Sequence, residues 1–276
     1  MPRKTADGIC RLTKQRGKFV KAHLIPKALT RPAVAGLPFV ENRLGSRSAR
    51  KWSSWYDSKL VTAEGEAVLT ALDNWAIPEL RKHKLVWSGW GPLQSLAHGH
   101  DHDPIGNTGF GLRKVSGLDA NRLRLFFLSL LWRAAASTLH GFAEIKLPPQ
   151  ELEKLREMLL ADDPGAPTYF SIHLIQISTL GPVQNLTPIA QTKTIPAVGN
   201  VQEHTRPIFR FYFEGLVAHI HLDAEYESDK LGPLVLGQEE SITITTVTYE
   251  QSFQRKNLMN IIAEAYMNWP DLMAKL

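Results

Sequence analysis

The sequence predicts an α+β protein, on three observations. The N-terminal part is rich in Pro, Gly and short apolar clusters with no sustained period. The middle carries strong helical periodicity, and the C-terminal part carries runs of β-branched and aromatic residues that alternate. Loops, then helices, then strands is the order of an α+β chain, with an antiparallel sheet at its end. At 276 residues the chain is long enough to bury a sizeable core.

Taken in order, Ile9, Leu12, Phe19 and Ile25 mark two strands of a hairpin over residues 10–26, with KQRG and Gly17 as the turn. Residues 30–58 read as irregular, because Pro32, Gly36, Pro38 and Gly45 break every period. Thr62 is an N-cap for a helix over 62–75, where Val68, Leu69, Leu72 and Trp75 recur at helical spacing. Residues 78–84 read as a second short helix that starts at Pro78, and 86–117 as loop. Residues 119–140, DANRLRLFFLSLLWRAAASTLH, are apolar on almost all sides and predict a central buried helix stopped by Gly141. A further helix spans 149–161, with Pro149 at its start and Leu152, Leu155 and Leu159 on one face. Strands are expected within 168–179, 207–223, 232–237 and 241–249, with a polar connection over 181–206 and a final helix over 251–266. Two segments follow, a basic N-terminal module (1–105) and a helical centre with the sheet (106–276), expected to pack as one unit.

The charge is uneven. Residues 1–60 hold 14 Lys and Arg against Asp7, Glu41 and Asp57, a net of +11, and the remaining residues carry a net of −6. A block this basic predicts a polyanion as partner, DNA or RNA, held by Arg16, Lys18, Lys21, Lys27, Arg31, Arg47, Arg50 and Lys51. The acidic remainder offers a face to a protein partner. A lone cysteine, Cys10, fits a reducing compartment and excludes an internal disulfide. The apolar run at 125–136 is short and interrupted by Ser129 and Arg133, and MPRKTADG has no apolar signal region. The expectation is a cytoplasmic protein without a membrane partner.

The stretch CRLTKQRGKFVKAHLIPK, with Cys10 opening it and His23 just before Ile25-Pro26, resembles the start of bacterial HNH-like proteins. RLRLFFLSLLWRAAAS, residues 122–137, is similar to a helix in an uncharacterised group of bacterial and mobile-element proteins that begin with the same module. The resemblance implies nucleic-acid chemistry, a divalent-metal-dependent endonuclease of mobile-element or antiphage setting. It places a general base at His23 and a hard ion, Mg or Mn, on donors such as Asp57 and Asn42, with Glu64 and Glu66 also available. Two departures stand out. Thr13 occupies the second cysteine position, and Ser53 to Asp57 carry no cysteine where the group has a second pair. A structural zinc needs four N or S ligands, so none is expected, and the hairpin must be held by packing. The alternative is therefore a binding or adaptor protein that kept the scaffold and lost the metal chemistry.

HGHDHD, residues 98–103, is the most ligand-dense hexamer. In an extended chain His98, His100 and His102 share one side and Asp101 the other, a candidate site for Zn or Ni. The competing reading is a solvated polar loop. His219 and His221 share one strand face in AHIHLD, where half-exposed strand histidines are the ordinary expectation.

Overall fold

The structure is a computed structural model. It describes residues 6–30, 39–43, 46–51, 54–96, 99, 101–195, 203–222, 232–268 and 270; for 39–51, 195, 204 and 265 the description is of the backbone. The architecture is α+β, with central helices packed on a C-terminal, mostly antiparallel sheet.

The central helix α2 (Ala120–Ala136) is the organising element, with residues such as Phe126, Phe127 and Trp132 wholly buried. Asp119 caps it by accepting a hydrogen bond from the Arg122 amide at 2.9 Å. It ends at Ser137, short of the expected position 140. There the chain turns extended so that Ser137 Oγ and the Thr138 amide donate to Asp57. The helix α3 (Pro149–Ala161) follows as expected, with Pro149 in its first turn and Asp162 closing it in left-handed conformation.

The main sheet has seven strands: β7 (His102–Pro104), β8 (Phe110–Val115), β9 (Ile172–Ile177), β11 (Ile189–Ile195), β12 (His204–Phe213), β13 (Leu216–His221) and β14 (Ile242–Val247). Their order is β11-β12-β13-β9-β14-β8-β7, with every pair antiparallel except β14 with β9. One face, built from Phe209, Phe211, Phe213, Leu174, Ala218 and Ile244, packs into the core with α2. The alternation of β12 sends Arg206, Ile208, Arg210 and Tyr212 to the other face.

Several expectations need correction here. Residues 207–223 form two strands, because Glu214 and Gly215 make a two-residue turn with φ of 42° and 87°. Gly215 is doubly required, since a Cβ there would lie 2.3 Å from the Trp87 indole nitrogen. The loop expected over 86–117 contains β7 and β8, and the connection over 181–206 contains β10 (Asn185–Leu186) and β11. Residues 232–237 make a single helical turn and an isolated bridge from Val235 to His173. The last helix, α4, spans Phe253–Asn268.

At the N-terminus, β1 (Asp7–Ile9) pairs with β2 (Arg16–Lys18), so the turn runs over residues 10–15 and Cys10 sits in it. Gly17 lies within a strand: its missing side chain faces Thr62, where a Cβ would meet the threonine methyl at 3.0 Å. The second expected strand is replaced by β3 (Ala22–His23), which pairs with β6 (Tyr56–Asp57). Burial explains the difference. Cys10, Leu12, Leu24 and Ile25 all point into the core as packing anchors rather than alternating along one hairpin. Between these elements β4 (Phe39–Arg43) and β5 (Ser46–Lys51) form a hairpin, with β10 parallel to β4.

Helix α1 (Ala63–Lys82) is continuous through Pro78 rather than broken into two. Gly65, Leu69, Leu72, Ala76 and Leu80 form one buried stripe that crosses the proline, and that burial offsets an interior proline's cost of about 3 kcal/mol. One cluster of buried apolar side chains runs from Cys10 to Ile244, and position 105 lies in the turn between β7 and β8. Among the described residues no helix is long and apolar enough to cross a membrane.

Candidate nucleic-acid interface

Strands β3 and β6 and helix α1 make a β-β-α unit, and the buried Arg133 of α2 ties it together. Its guanidinium donates to both Asp73 oxygens at 2.7 and 2.9 Å, to the His23 carbonyl at 3.2 Å and to the Leu69 carbonyl at 3.1 Å. A single side chain thus joins β3, α1 and α2. The hairpin is fixed from outside as well. Arg11 donates to the Ala136 carbonyl at 2.6 Å, and Arg156 to the Leu12 carbonyl at 2.9 Å. Cys10 is fully buried; its Sγ accepts from the Thr13 amide at 3.4 Å and lies against Gly65 in the first turn of α1. Apolar packing holds the turn.

Four of the residues expected to contact phosphate have described side chains. Arg16, Lys18, Lys21 and Lys27 are exposed, and none is in an ion pair among the described residues. Because Gly17 faces Thr62, its neighbours Arg16 and Lys18 project together to the opposite, solvent side. Lys21 Nζ lies 4.9 Å over the ring of Tyr56, an exposed aromatic on β6, and the His23 ring meets Tyr56 edge-on at 6.5 Å. Arg31 lies outside the described residues, and Arg47, Arg50 and Lys51 lie on β5, described in backbone alone.

The candidate catalytic residues are not brought together as a metal centre. His23 is half-buried; burial, ahead of the opposing pull of Asp73, holds its imidazole below the ordinary histidine range, so it is neutral at pH 7. Asp57 is committed: Oδ1 accepts from the Lys59 amide at 2.8 Å, and Oδ2 from Ser137 Oγ at 2.9 Å and the Thr138 amide at 3.1 Å. Asp73 has both oxygens on Arg133. Asn42 lies on β4 with its backbone opposite Leu186, described in backbone alone. Glu64 is exposed. Glu66 is the exception: one oxygen is buried without a partner, and burial pushes its carboxyl up to about 7. Of the donors that the resemblance implies, Asp57 is held by Lys59, Ser137 and Thr138, and Glu66 keeps an oxygen without a partner. Among the described residues no three His, Cys, Asp or Glu gather as a metal site.

The His-rich hexamer is likewise turned inward where it is described. His98 and His100 lie outside the described residues. His102 Nδ1 donates to the Leu96 carbonyl at 3.0 Å, which leaves Nε2 facing the Thr246 hydroxyl at 2.7 Å; both ring nitrogens are engaged on β7. Asp101 takes a two-pronged bond from the buried Arg113 at 2.9 and 2.7 Å, and those bonds hold its carboxyl below the usual range against the effect of burial. Of the expected metal ligands, His102 and Asp101 are thus engaged in the packing of the sheet edge.

Sequence reading missed Tyr56 as a partner of Lys21, and missed Arg133 as the tie between three elements. It also missed the polar face of the main sheet, where His173, His219, Lys193 and Arg210 stand. The alternation in RPIFRFYF was the available signal, with phenylalanines on one side and arginines on the other. Compared with protein-family models, curated proteins and solved structures, the chain matches none.

Proposed function

We propose that this protein is a cytoplasmic nucleic-acid-binding protein that holds its ligand on the N-terminal module without cutting it. The observation that supports the reading is that Arg16, Lys18, Lys21 and Lys27 are exposed and that Lys21 lies over the exposed Tyr56. Cations neutralise phosphates, and an exposed aromatic beside them offers a stacking platform for a base. Asp57 and Asp73 serve the scaffold, which favours binding over metal-dependent hydrolysis.

The test is fluorescence anisotropy with single-stranded and duplex oligonucleotides. Tyr56→Ala should weaken single-strand binding by about 1–3 kcal/mol, the usual worth of a base-aromatic stack, and leave duplex binding close to wild type. Unchanged affinity for both substrates in a Lys21→Glu, Lys27→Glu variant would reject this face. A second reading, an endonuclease, rests on the neutral His23 and the unengaged oxygen of Glu66. Cleavage of plasmid or single strand with Mg²⁺ or Mn²⁺ that disappears in His23→Ala would favour it over the first.

A further inference from the structure

The second face of the main sheet sets three buried histidines beside three partly buried cations. His173 and His219 are each 5% exposed and His221 is 1% exposed. They lie in one region with Lys193, Arg206 and Arg210, since His219 pairs with both His173 and Arg210 and Lys193 pairs with Arg206 in the strand register. Lys193 Nζ donates to His173 Nδ1 at 3.2 Å, although two strands lie between β11 and β9, so the sheet curls around this face. Thr245 receives the other ring proton of His173, which fixes that ring as neutral. Burial, ahead of the neighbouring cations, holds His173, His219 and Lys193 below their usual ranges and brings Arg210 down to about 10.

Beside this stripe, between β11, β12 and α4, is a cavity of about 390 Å³. Gln191, Arg210, Gln254, Asn257 and Asn260 bring polar groups to it, with the exposed Glu264 as the one carboxylate among its lining residues. Arg210 stacks on Phe253 at 4.1 Å and donates to Gln254 Oε1 at 2.9 Å, which sets the guanidinium at the floor. The lining includes three buried polar atoms with no hydrogen-bond partner among the described residues: Gln191 Oε1, Arg210 Nε and Gln254 Nε2. Gln254 is 1% exposed, so its amide faces this space or nothing. Buried polar atoms left unsatisfied, donors and acceptor alike, are costly unless a ligand completes them.

The chemistry of the ligand follows from the lining. Arg210 and Lys193 are donors for an anion, and a guanidinium held in place suits phosphate. Carboxamides each offer a donor and an acceptor, the pattern that matches the edge of a heterocycle. The volume lies within the range of small-molecule sites. We propose that this cavity binds a small phosphate-bearing ligand of nucleotide size, with its phosphate on Arg210 toward Lys193 and its polar ring edge on the amides of Gln191, Gln254 and Asn257. This site is separate from the N-terminal face and does not rest on the function proposed for it.

The test is calorimetry and thermal shift on the full chain with adenosine and guanosine mono-, di- and triphosphates, inorganic phosphate, tripolyphosphate and a short oligonucleotide. Nucleotides should bind and raise the melting temperature, and affinity should rise with phosphate number as the chain extends toward Lys193. Arg210→Met should weaken binding by about tenfold or more, the loss expected for one charge-assisted contact. Asn257→Leu, which fills the cavity from the helix side without touching a cation, should do the same while folding normally. Arg16→Ala and Lys21→Ala should leave nucleotide binding unchanged, which separates this site from the first. No response to any nucleotide overturns the proposal. Tripolyphosphate binding as tightly as nucleotide and indifferent to Asn257→Leu also overturns it, as does binding of the oligonucleotide alone.

Discussion

Replacing Arg133 with Met should show whether the β-β-α unit is held by its buried ion pair. Arg133 is 1% exposed and its partner Asp73 17% exposed, so little water is available to replace the lost bonds. Methionine fills similar length but leaves the Asp73 carboxylate and the carbonyls of His23 and Leu69 without their donor. Removing one member of a buried pair costs about 3–5 kcal/mol. With an unfolding entropy of roughly 2.1 cal/mol/K per residue over this chain, that corresponds to a melting temperature lower by about 5–9 °C. Differential scanning calorimetry measures it directly. The companion variant, Arg133→Met with Asp73→Leu, should recover most of the loss, because an apolar pair of like volume replaces a buried ion pair at little net cost. A single-variant drop under about 2 °C would refute the reasoning, as would a double variant no better than the single.

Three further outcomes are expected. Duplex binding that engages Arg16, Lys18, Lys21 and Lys27 should fall with salt at a log–log slope of roughly −3.6, and removing two of these lysines should reduce that slope by about 2; titration at several salt concentrations measures it, and a flat response counts against phosphate contact. The raised carboxyl of Glu66 binds a proton more tightly folded than unfolded, so this group's contribution to stability is present below the ordinary Glu range and is lost as pH rises toward 7; Glu66→Gln should flatten that part of the pH–stability curve in chemical denaturation. A Cβ at Gly65 would lie 2.7 Å from Cys10 Sγ, so Gly65→Ala should destabilise by about 1–3 kcal/mol through overpacking, and Cys10→Ala should relieve part of that loss.

The elements that sequence reading placed well are those whose burial is nearly complete or strictly one-sided. Residues 119–140 had to be a central helix because hardly any face of it could meet water, and 149–161 carried both its proline start and its apolar stripe. The misplacements share a cause, which is that the partner decides the element. Ala22 and His23 cannot reveal that they pair with Tyr56 and Asp57, far along the chain. Pro78 reads as a break until the stripe through Leu80 is seen to pack on. Glu214-Gly215 is a turn without the usual Asn or Asp, so two strands looked like one. In the N-terminal module, lysine and arginine density is legible in the sequence, because net charge needs no partner to be visible. The commitments of Asp57 to Ser137, Asp73 to Arg133 and His102 to Thr246 could not be read, because each partner is remote in sequence. The cavity beside Arg210 escaped for the same reason: β11, β12 and α4 meet there from three separate stretches.

The position of β14 has a consequence for how the protein comes into being. Among the described residues it is the last strand, yet it lies between β9 and β8 and joins the β11-β12-β13-β9 group to the β8-β7 hairpin by backbone pairing on both sides. During synthesis the hairpin leaves the ribosome first, the four-stranded group follows, and the two remain unjoined edges until residues 242–247 emerge. Each then presents unpaired backbone along one side, the kind of edge on which other strands add. Closure of the sheet is a long-range event that makes folding slow relative to a helical protein of the same size. A chain cut just before Ile242 would leave two sheets with a gap the width of one strand. Closure of the sheet thus waits on a segment made after both groups, and until it emerges each keeps an open edge.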